Sequence, residues 1–152
     1  MKAKDSVRLK GICEKVADSC MGMRVRRVAR VVGNHYDEYL KPTGLKGTQF
    51  TLLNAMYLNP TATISQIANF LLVDRTTLNR NLKPLEREGF VTSGHGKDLR
   101  TRTLKLTEKG VAALQQALPL WLEAQSGVVS LLGRRMERLG DDLKELEKLE
   151  SA

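Results

Sequence analysis

The chain has 152 residues, which suits one domain of ordinary size, and it carries a net charge of +8 with a pI near 9.7. It contains no apolar run long enough to span a membrane and no signal-peptide core, so we expect a cytoplasmic protein. Its two cysteines form no disulfide framework, and its cysteines and histidines are too scattered for a zinc site, so we predict neither a metal nor a cofactor. The positive charge is concentrated in residues 1–110, while residues 111–152 carry −2, and this asymmetry favours a polyanionic partner.

The N-terminal part divides into a polar segment and an amphipathic one. Residues 1–15 are mixed in charge and predict a frayed arm or a short helix. From Val16 to Tyr39, apolar residues recur at spacings of three and four, which predicts one helix. Its apolar stripe, which includes Val25, Val28 and Val32, is wide for a helix that packs only on its own small domain.

Two short helices are predicted in the middle of the chain. The first runs from Gln49 to Leu58 with Thr48 as its N-cap, and the second runs from Ser65 to Leu72. Residues 62–64 predict a short strand between them. A tight connection then leads to a third helix, and such an arrangement fits a helix-turn-helix.

The stretch Val73 to Gly89 predicts that third helix, with Asp74 as its N-cap and Gly89 at its end. Leu78, Leu82 and Leu85 share one face. The opposite face carries the groups that contact phosphates and base edges, namely Thr76, Asn79, Arg80, Lys83 and Arg87. Pro84 removes one helical hydrogen bond, so we expect a kink late in the helix.

A basic hairpin follows at once. Phe90 to Ser93 and Thr101 to Leu106 predict two strands, and the glycine-rich stretch between them predicts a turn. A polar-faced helix followed by a basic hairpin is the outline of a winged helix-turn-helix, in which the helix reads the major groove and the hairpin reaches the backbone or the minor groove.

The C-terminal third predicts more helix than a winged domain requires. Thr107 is expected to cap a long helix that bends at Pro119 and is interrupted at Gly127 and Gly133, and a last helix is expected from about Asp141 to Glu150. The fold class is therefore mainly α with a small antiparallel β wing, flanked by N- and C-terminal helices. The apolar residues that we expect to form a dimer interface are Val25, Val28, Val32, Leu114, Leu118, Trp121, Leu143 and Leu146. The alternative is that these helices pack only on their own domain.

Five short motifs occur in a specific order between Leu45 and Gly110. They are Leu45-x-x-x-Gln49-Phe50-x-x-Leu53, Asp74-Arg75-Thr76, Leu85-Glu86-x-x-Gly89-Phe90-Val91, Asp98-x-Arg100 and Leu104-x-Leu106-Thr107-x-x-Gly110. Together they resemble the MarR family of bacterial transcription regulators, over roughly residues 24–125. The resemblance implies a homodimer on a pseudo-palindromic operator in double-stranded DNA, most often a repressor released by a small aromatic effector.

The resemblance also implies a division of the chain. Residues 1–45 would form an arm and a dimerisation helix, 46–109 the DNA-binding region, and 110–152 the C-terminal dimerisation helices of one intertwined domain. Some relatives sense oxidants through an N-terminal cysteine, which makes Cys20 a redox candidate, with Arg24 one turn away to favour the thiolate. The simpler interpretation is an inert, half-buried thiol.

The expected DNA contacts fall into three groups. Thr76, Thr77, Asn79, Arg80 and Lys83 would face the major groove, and Thr48, Gln49 and Ser65 would meet phosphates near helix N-termini. In the wing, Arg100 would form the tip, Lys97 would contact phosphate, and Asp98 would orient the wing, as its family position implies. An RNA-binding or protein-interaction winged helix is the alternative, but aromatic residues make up only 5% of the chain and none lies on the polar helix face. No catalytic constellation is found, so we do not expect an enzyme.

Overall fold

The computed structural model describes residues 3–95 and 102–151, which form a mainly helical protein with one two-stranded antiparallel sheet. Its contacts divide the chain into two compact units, Met1–His35 and Tyr36–Ala152. The elements in order are α1 Ala3–Ser19, α2 Met21–Leu40, a 3₁₀ turn Lys41–Thr43, α3 Gly47–Leu58, α4 Ile64–Phe70, α5 Arg75–Arg87, β1 Val91–His95, β2 Arg102–Leu106, α6 Glu108–Leu132, α7 Arg135–Glu147 and a 3₁₀ turn Lys148–Ser151. The expected fold class is confirmed. None of the helices in the described ranges is both long and apolar enough to cross a membrane.

The N-terminal unit decides one alternative and corrects one expectation. The segment expected to be a frayed arm or a short helix is a 17-residue helix, α1. The single helix expected from Val16 to Tyr39 is wrong because the helix breaks at Cys20. The Cys20 N–H still donates to the Val16 carbonyl at 2.9 Å. A helix end leaves carbonyls without partners, and here Arg24 Nη2 donates to the Asp18 carbonyl at 3.1 Å.

The core of the second unit gathers residues from distant parts of the sequence. Its fully buried large side chains come from the end of α2, from α3, α4 and α5, and from both strands, and α6 adds two alanines and a leucine. The large side chains among them with at most 1% exposure are Leu40, Leu52, Leu53, Ile67, Leu78, Leu82 and Leu85. Leu114, one of the residues expected in a dimer interface, is also in this core, with 4% exposure. Its packing partners lie within its own chain.

The start of α3 corrects the cap expected at Thr48. The helix begins at Gly47 with Lys46 in the N-cap position, and Thr48 lies exposed in the first turn. Asp37 Oδ1 accepts from the Gly47 N–H at 2.6 Å, and Gln49 Oε1 accepts from the Lys46 N–H at 2.8 Å. Side chains thus satisfy the N–H groups of Lys46 and Gly47. The Phe50 N–H, which a cap at Thr48 would serve, donates instead to the Lys46 carbonyl at 2.9 Å.

The strand expected at residues 62–64 is also wrong. Only Thr63 pairs with the sheet, through an isolated bridge to Thr103. Its side chain instead caps α4: Thr63 Oγ1 accepts from the Gln66 N–H at 3.3 Å, and Gln66 Oε1 accepts from the Thr63 N–H at 2.8 Å. This reciprocal pair is a capping box, so α4 starts at Ile64 rather than Ser65 and ends at Phe70 rather than Leu72.

The C-terminal helices are longer than expected. The Thr107 cap is confirmed, since Thr107 Oγ1 accepts from the Gly110 N–H at 3.0 Å. Helix α6 continues through Pro119 and Gly127 to Leu132. A glycine inside a helix costs only about 1 kcal/mol against alanine, so Gly127 does not end it. The interruption expected at Gly127 is therefore wrong, whereas Gly133, with φ of 54°, ends the helix. Helix α7 then begins at Arg135 instead of near residue 141.

Candidate nucleic-acid interface

The first turn of α5 is fixed by its N-cap. Asp74 Oδ1 accepts from the Thr77 N–H at 2.8 Å, and Asp74 Oδ2 accepts from the Thr77 hydroxyl at 2.7 Å. The bond from the Thr77 N–H, followed by the bond from its hydroxyl, lowers the pKa of Asp74 below its ordinary value. The cap at Asp74 is confirmed. The proton of the Thr77 hydroxyl is committed to it, so this side chain shapes the helix start.

The buried leucines of α5 decide which face turns outward. Leu78, Leu82 and Leu85 each have 1% exposure, so the opposite face lies on the surface. That face forms an open groove of about 460 Å³ lined by Thr76, Asn79, Arg80, Lys83, Pro84 and Arg87. It contains three cations, an amide and a hydroxyl, and no acidic side chain lines it. The groove therefore offers hydrogen-bond donors to an anion or to base edges.

Pro84 does not end α5. The helix runs from Arg75 to Arg87, and the Glu88 N–H donates to the Pro84 carbonyl at 2.9 Å. The proline ring lines the groove beside Lys83 and Arg87, beyond the first two turns. The base-reading turns expected at Thr76, Asn79 and Arg80 therefore precede it.

A side-chain contact joins α4 to the start of α5. Arg75 Nη2 donates to Ser65 Oγ. The turn between the helices contains Leu72 in a left-handed conformation, with φ of 50°, and the Val73 N–H donates to the Ala68 carbonyl at 3.0 Å. Ser65 was expected to meet phosphate, and the structure places its hydroxyl against Arg75. The sequence carried no signal for Arg75 in this role.

The other end of α5 is bound to the start of α6. Lys109 Nζ donates to the Glu88 carbonyl at 2.7 Å and lies 5.0 Å from the centre of the Phe90 ring. Thr107 Oγ1 donates to the Gly89 carbonyl at 2.7 Å. A Cβ atom on Gly110 would lie only 2.0 Å from the Phe90 carbonyl oxygen. The motif at residues 104–110 thus packs against the C-terminal end of α5 and holds it in place. The spacing of the motif in the sequence did not reveal this role.

The wing is described at its base. Strands β1 and β2 pair antiparallel, with Val91 opposite Leu106 and His95 opposite Arg102. Val91 and Leu104 face the core, with 2% exposure each. The expected wing residues Lys97, Asp98 and Arg100 lie outside the described residues.

The remaining candidate residues lie at three places. Gln49 is half-buried at the start of α3, where its side chain caps the helix. Trp121 packs within its own chain, with ring centres 6.2 Å from Phe50 and 6.5 Å from Tyr36. The Tyr36 hydroxyl donates to Gln125 Oε1, and burial raises the pKa of Tyr36.

Cys20 is a half-buried free thiol at the break between α1 and α2. Within the described ranges, no three His, Cys, Asp or Glu side chains are placed to hold a metal ion.

Helices α3, α4 and α5 with the β1–β2 hairpin define a winged helix-turn-helix protein. The sequence profile of the MarR family matches residues 43–100. An uncharacterised HTH-type transcriptional regulator of Bacillus anthracis is 32% identical over 108 residues, which cover 71% of this chain and 72% of the relative.

Solved structures agree with this match. The transcriptional regulator MosR of M. tuberculosis, crystallised in complex with DNA, is 39% identical, with a TM-score of 0.81 over 88% of this chain and 97% of MosR. A mutant of E. coli MarR complexed with operator DNA shares the fold, with a TM-score of 0.78 over 86% of this chain and 96% of that protein at 24% identity. The chain belongs to the MarR family of transcription regulators.

Proposed function

We propose that this protein is a sequence-specific regulator that binds double-stranded DNA, and that it acts as a homodimeric repressor. The observation that carries the proposal is the outward face of α5, where Thr76, Asn79, Arg80 and Lys83 line one groove opposite three buried leucines. The presence of DNA in the structure of MosR, which is 39% identical, supports the same conclusion. We keep residues 46–109 as the DNA-binding region of the proposal.

The roles within this face follow from side-chain chemistry. Arg80 is suited to a bidentate contact with guanine and Asn79 to one with adenine, while Thr76 and Lys83 suit flanking bases or phosphates. We retain Thr48, Gln49 and Ser65 as phosphate contacts, and we assign Thr77 to holding the helix start. In the wing, Arg100 and Lys97 are proposed to reach the DNA, with Asp98 orienting them.

The test of readout is Arg80→Ala on an operator selected from random duplexes. Because a bidentate contact discriminates between bases, we expect a loss of about 1–3 kcal/mol at one base position and relaxed preference there. Binding is measured on the selected operator, on single-base variants and on scrambled duplex. Arg138→Ala in α7, which removes the same charge, is the control and should retain the preference. An equal loss on operator and scrambled duplex would show that Arg80 touches only phosphate.

The dimer is proposed from apolar side chains that the single chain leaves exposed. Val28 has 53% exposure, and Val25, Leu118, Leu143 and Leu146 lie between 40% and 44%. One recognition helix reads too few base pairs to find a site in a genome. A two-fold dimer doubles the readout and places two half-sites roughly 10 base pairs apart. Val32 is half-buried and is kept in the proposed interface with them.

The dimer is tested with Val28→Asp and Leu146→Asp. A carboxylate in an apolar interface loses hydration, so both variants should shift the protein to monomers in sedimentation and lose specific binding. Gln116→Asp, on the opposite side of α6 from Leu118, should change neither property. A wild-type chain that stays monomeric at micromolar concentration and binds one half-site as tightly as the full palindrome would refute the dimer.

Release of the DNA by a small aromatic effector or by an oxidant at Cys20 stays a prediction. Peroxide would convert the Cys20 thiolate to a sulfenic acid and would itself be reduced to water or hydroxide. We expect peroxide to release operator DNA from the wild type and not from Cys20→Ser. Unchanged binding of the treated wild type would exclude Cys20 as a sensor.

A further inference from the structure

Helix α2 has a second face that the proposed function does not use. Residues 1–35 contain nine Lys or Arg residues and three acids, a net charge of +6, so the rest of the chain carries only +2. Residues 21–36 contain four arginines and no acid. Most of the excess positive charge therefore lies on the N-terminal unit, outside the winged helix-turn-helix.

Three of these arginines form one surface, which we call the α2 arginine surface: Arg26, Arg27 and Arg30. Arg26 and Arg30 are one turn apart, and Arg27 lies beside them at a spacing of three from Arg30. All three are exposed. Helical geometry puts Arg26 and Arg30 on the opposite side of α2 from Val28 and Val32, so the proposed dimer interface leaves them free.

Several exposed lysines on other helices pair with acids one turn away. In α7, Lys144 Nζ lies 3.1 Å from Asp141, and just beyond it Lys148 Nζ lies 2.6 Å from Glu145. Lys10 of α1 lies 3.9 Å from Glu14 in the same way. Across the described residues, no acid lies within ion-pair distance of the α2 arginine surface.

Like charges at these spacings repel one another, so the surface is destabilising for the isolated helix. A polyanion would relieve that repulsion. All three cations are arginines, whose planar guanidinium groups match phosphate oxygens in bidentate pairs better than a lysine ammonium does. Unlike the groove of α5, which includes an asparagine, the α2 arginine surface has no amide side chain that could read base edges. Its chemistry suits the backbone of a nucleic acid and carries no sequence information.

We propose that the α2 arginine surface binds the phosphates of duplex DNA and supplies a second, sequence-independent part of the affinity. This inference rests on the proposed function, which brings the protein to duplex DNA. An anionic membrane would need the apolar face of α2 as well as the arginines, and that face is assigned to the dimer. An acidic surface of a second copy of the chain is the other outcome that the experiment must separate.

The experiment compares the triple variant Arg26→Gln, Arg27→Gln, Arg30→Gln with the wild type as full chains. Operator and scrambled duplexes are titrated between 50 and 200 mM salt. Each phosphate contact contributes about 0.9 to the slope of log affinity against log salt. We expect the variant to bind both duplexes more weakly, to lose about 0.9 in slope for each contact removed, and to keep the wild-type ratio between operator and scrambled DNA.

The control removes three charges that the structure shows in ion pairs: Lys41→Gln, Lys144→Gln and Lys148→Gln. It matches the change in net charge and should change the slope much less. An arginine variant with the affinity and slope of the control overturns the proposal. The arginine variant is also examined by sedimentation and for binding to phosphatidylglycerol vesicles. A variant that has become monomeric overturns the proposal, and so does one that loses binding to the vesicles while it keeps its affinity for both duplexes.

Failure of the proposed function gives a different result. If the wild type shows no preference for a selected operator, then the role of α5 fails, whatever the arginine variant does. If the wild type shows a preference and Arg80→Ala removes it while the arginine variant matches its control, then only the α2 arginine surface is refuted.

Discussion

Helices α5 and α7 have the same spacing of leucines, but the leucines are buried in α5 and exposed in α7. Each has 13 residues, and each has three leucines at positions i, i+4 and i+7. In α5, Leu78, Leu82 and Leu85 have 1% exposure each, whereas in α7 the exposures of Leu139, Leu143 and Leu146 are 39%, 44% and 42%. The pattern therefore predicts which face is apolar, and it does not predict what covers that face.

The difference comes from residues far away in sequence. The leucines of α5 share a core with α3 and the wing strands, and the ends of α5 are fixed by Asp74 and Lys109. The leucines of α7 are left exposed by their own chain. This is why α5 belongs to the fold of the single chain while α7 enters our proposal as part of a dimer.

The largest expected effect is on the buried leucines. Leu82→Ala should lower the free energy of unfolding by about 2–5 kcal/mol, because it leaves a cavity in the core. Leu143→Ala should act mainly by raising the dissociation constant of the dimer. Urea unfolding at protein concentrations tenfold apart, with sedimentation, separates the two effects. If Leu82→Ala and Leu143→Ala lowered the free energy of unfolding equally and left the association of the chains unchanged, the distinction between α5 and α7 would be wrong.

A smaller effect is expected at the C-terminal end of α5. Lys109→Met keeps the alkyl chain over Phe90 and removes the donor to the Glu88 carbonyl, so we expect a loss of about 1 kcal/mol. The matched variant in α7 is Lys144→Met, whose ammonium forms an exposed pair with Asp141, and it should cost less than about 0.5 kcal/mol. Hydrogen exchange in the last turn of α5 should rise only in Lys109→Met. A larger loss of stability in Lys144→Met than in Lys109→Met would contradict the proposal that Lys109 holds the C-terminal end of α5.

The smallest effect depends on pH. The pKa of Asp74 is lowered in the folded protein, so the stability that its cap contributes is present above the unfolded pKa, about 4, and is lost as pH falls through the lower folded pKa. Asp74→Ala should be less stable than the wild type at neutral pH, and the difference should shrink in acid. Asp74→Asn keeps an acceptor and should retain most of the stability at both pH values. Urea midpoints against pH test this, and a difference that grows in acid would reverse the sign.

Prediction from sequence succeeded where one local signal sufficed. Asp74, Thr107 and the three leucines of α5 each occupy a position that short-range chemistry dictates. It failed where a distant partner competes. Asp37, ten residues away, accepts from the Gly47 N–H, so Thr48 is not the N-cap. Leu114 has the spacing of an interface residue, but its neighbours in the fold are other core side chains.

The contact between Gly110 and the Phe90 carbonyl has a consequence for protein engineering. A hybrid regulator that takes the wing and helix α5 from one relative and the C-terminal helices from another must be joined somewhere near residue 107. Because any Cβ atom at position 110 would overlap the backbone carbonyl of residue 90, position 110 of the hybrid must be a glycine. Junctions within α6, beyond its first turn, keep the Gly110 of this chain, whereas junctions between β1 and residue 110 require a glycine at that position in the relative that supplies the C-terminal helices.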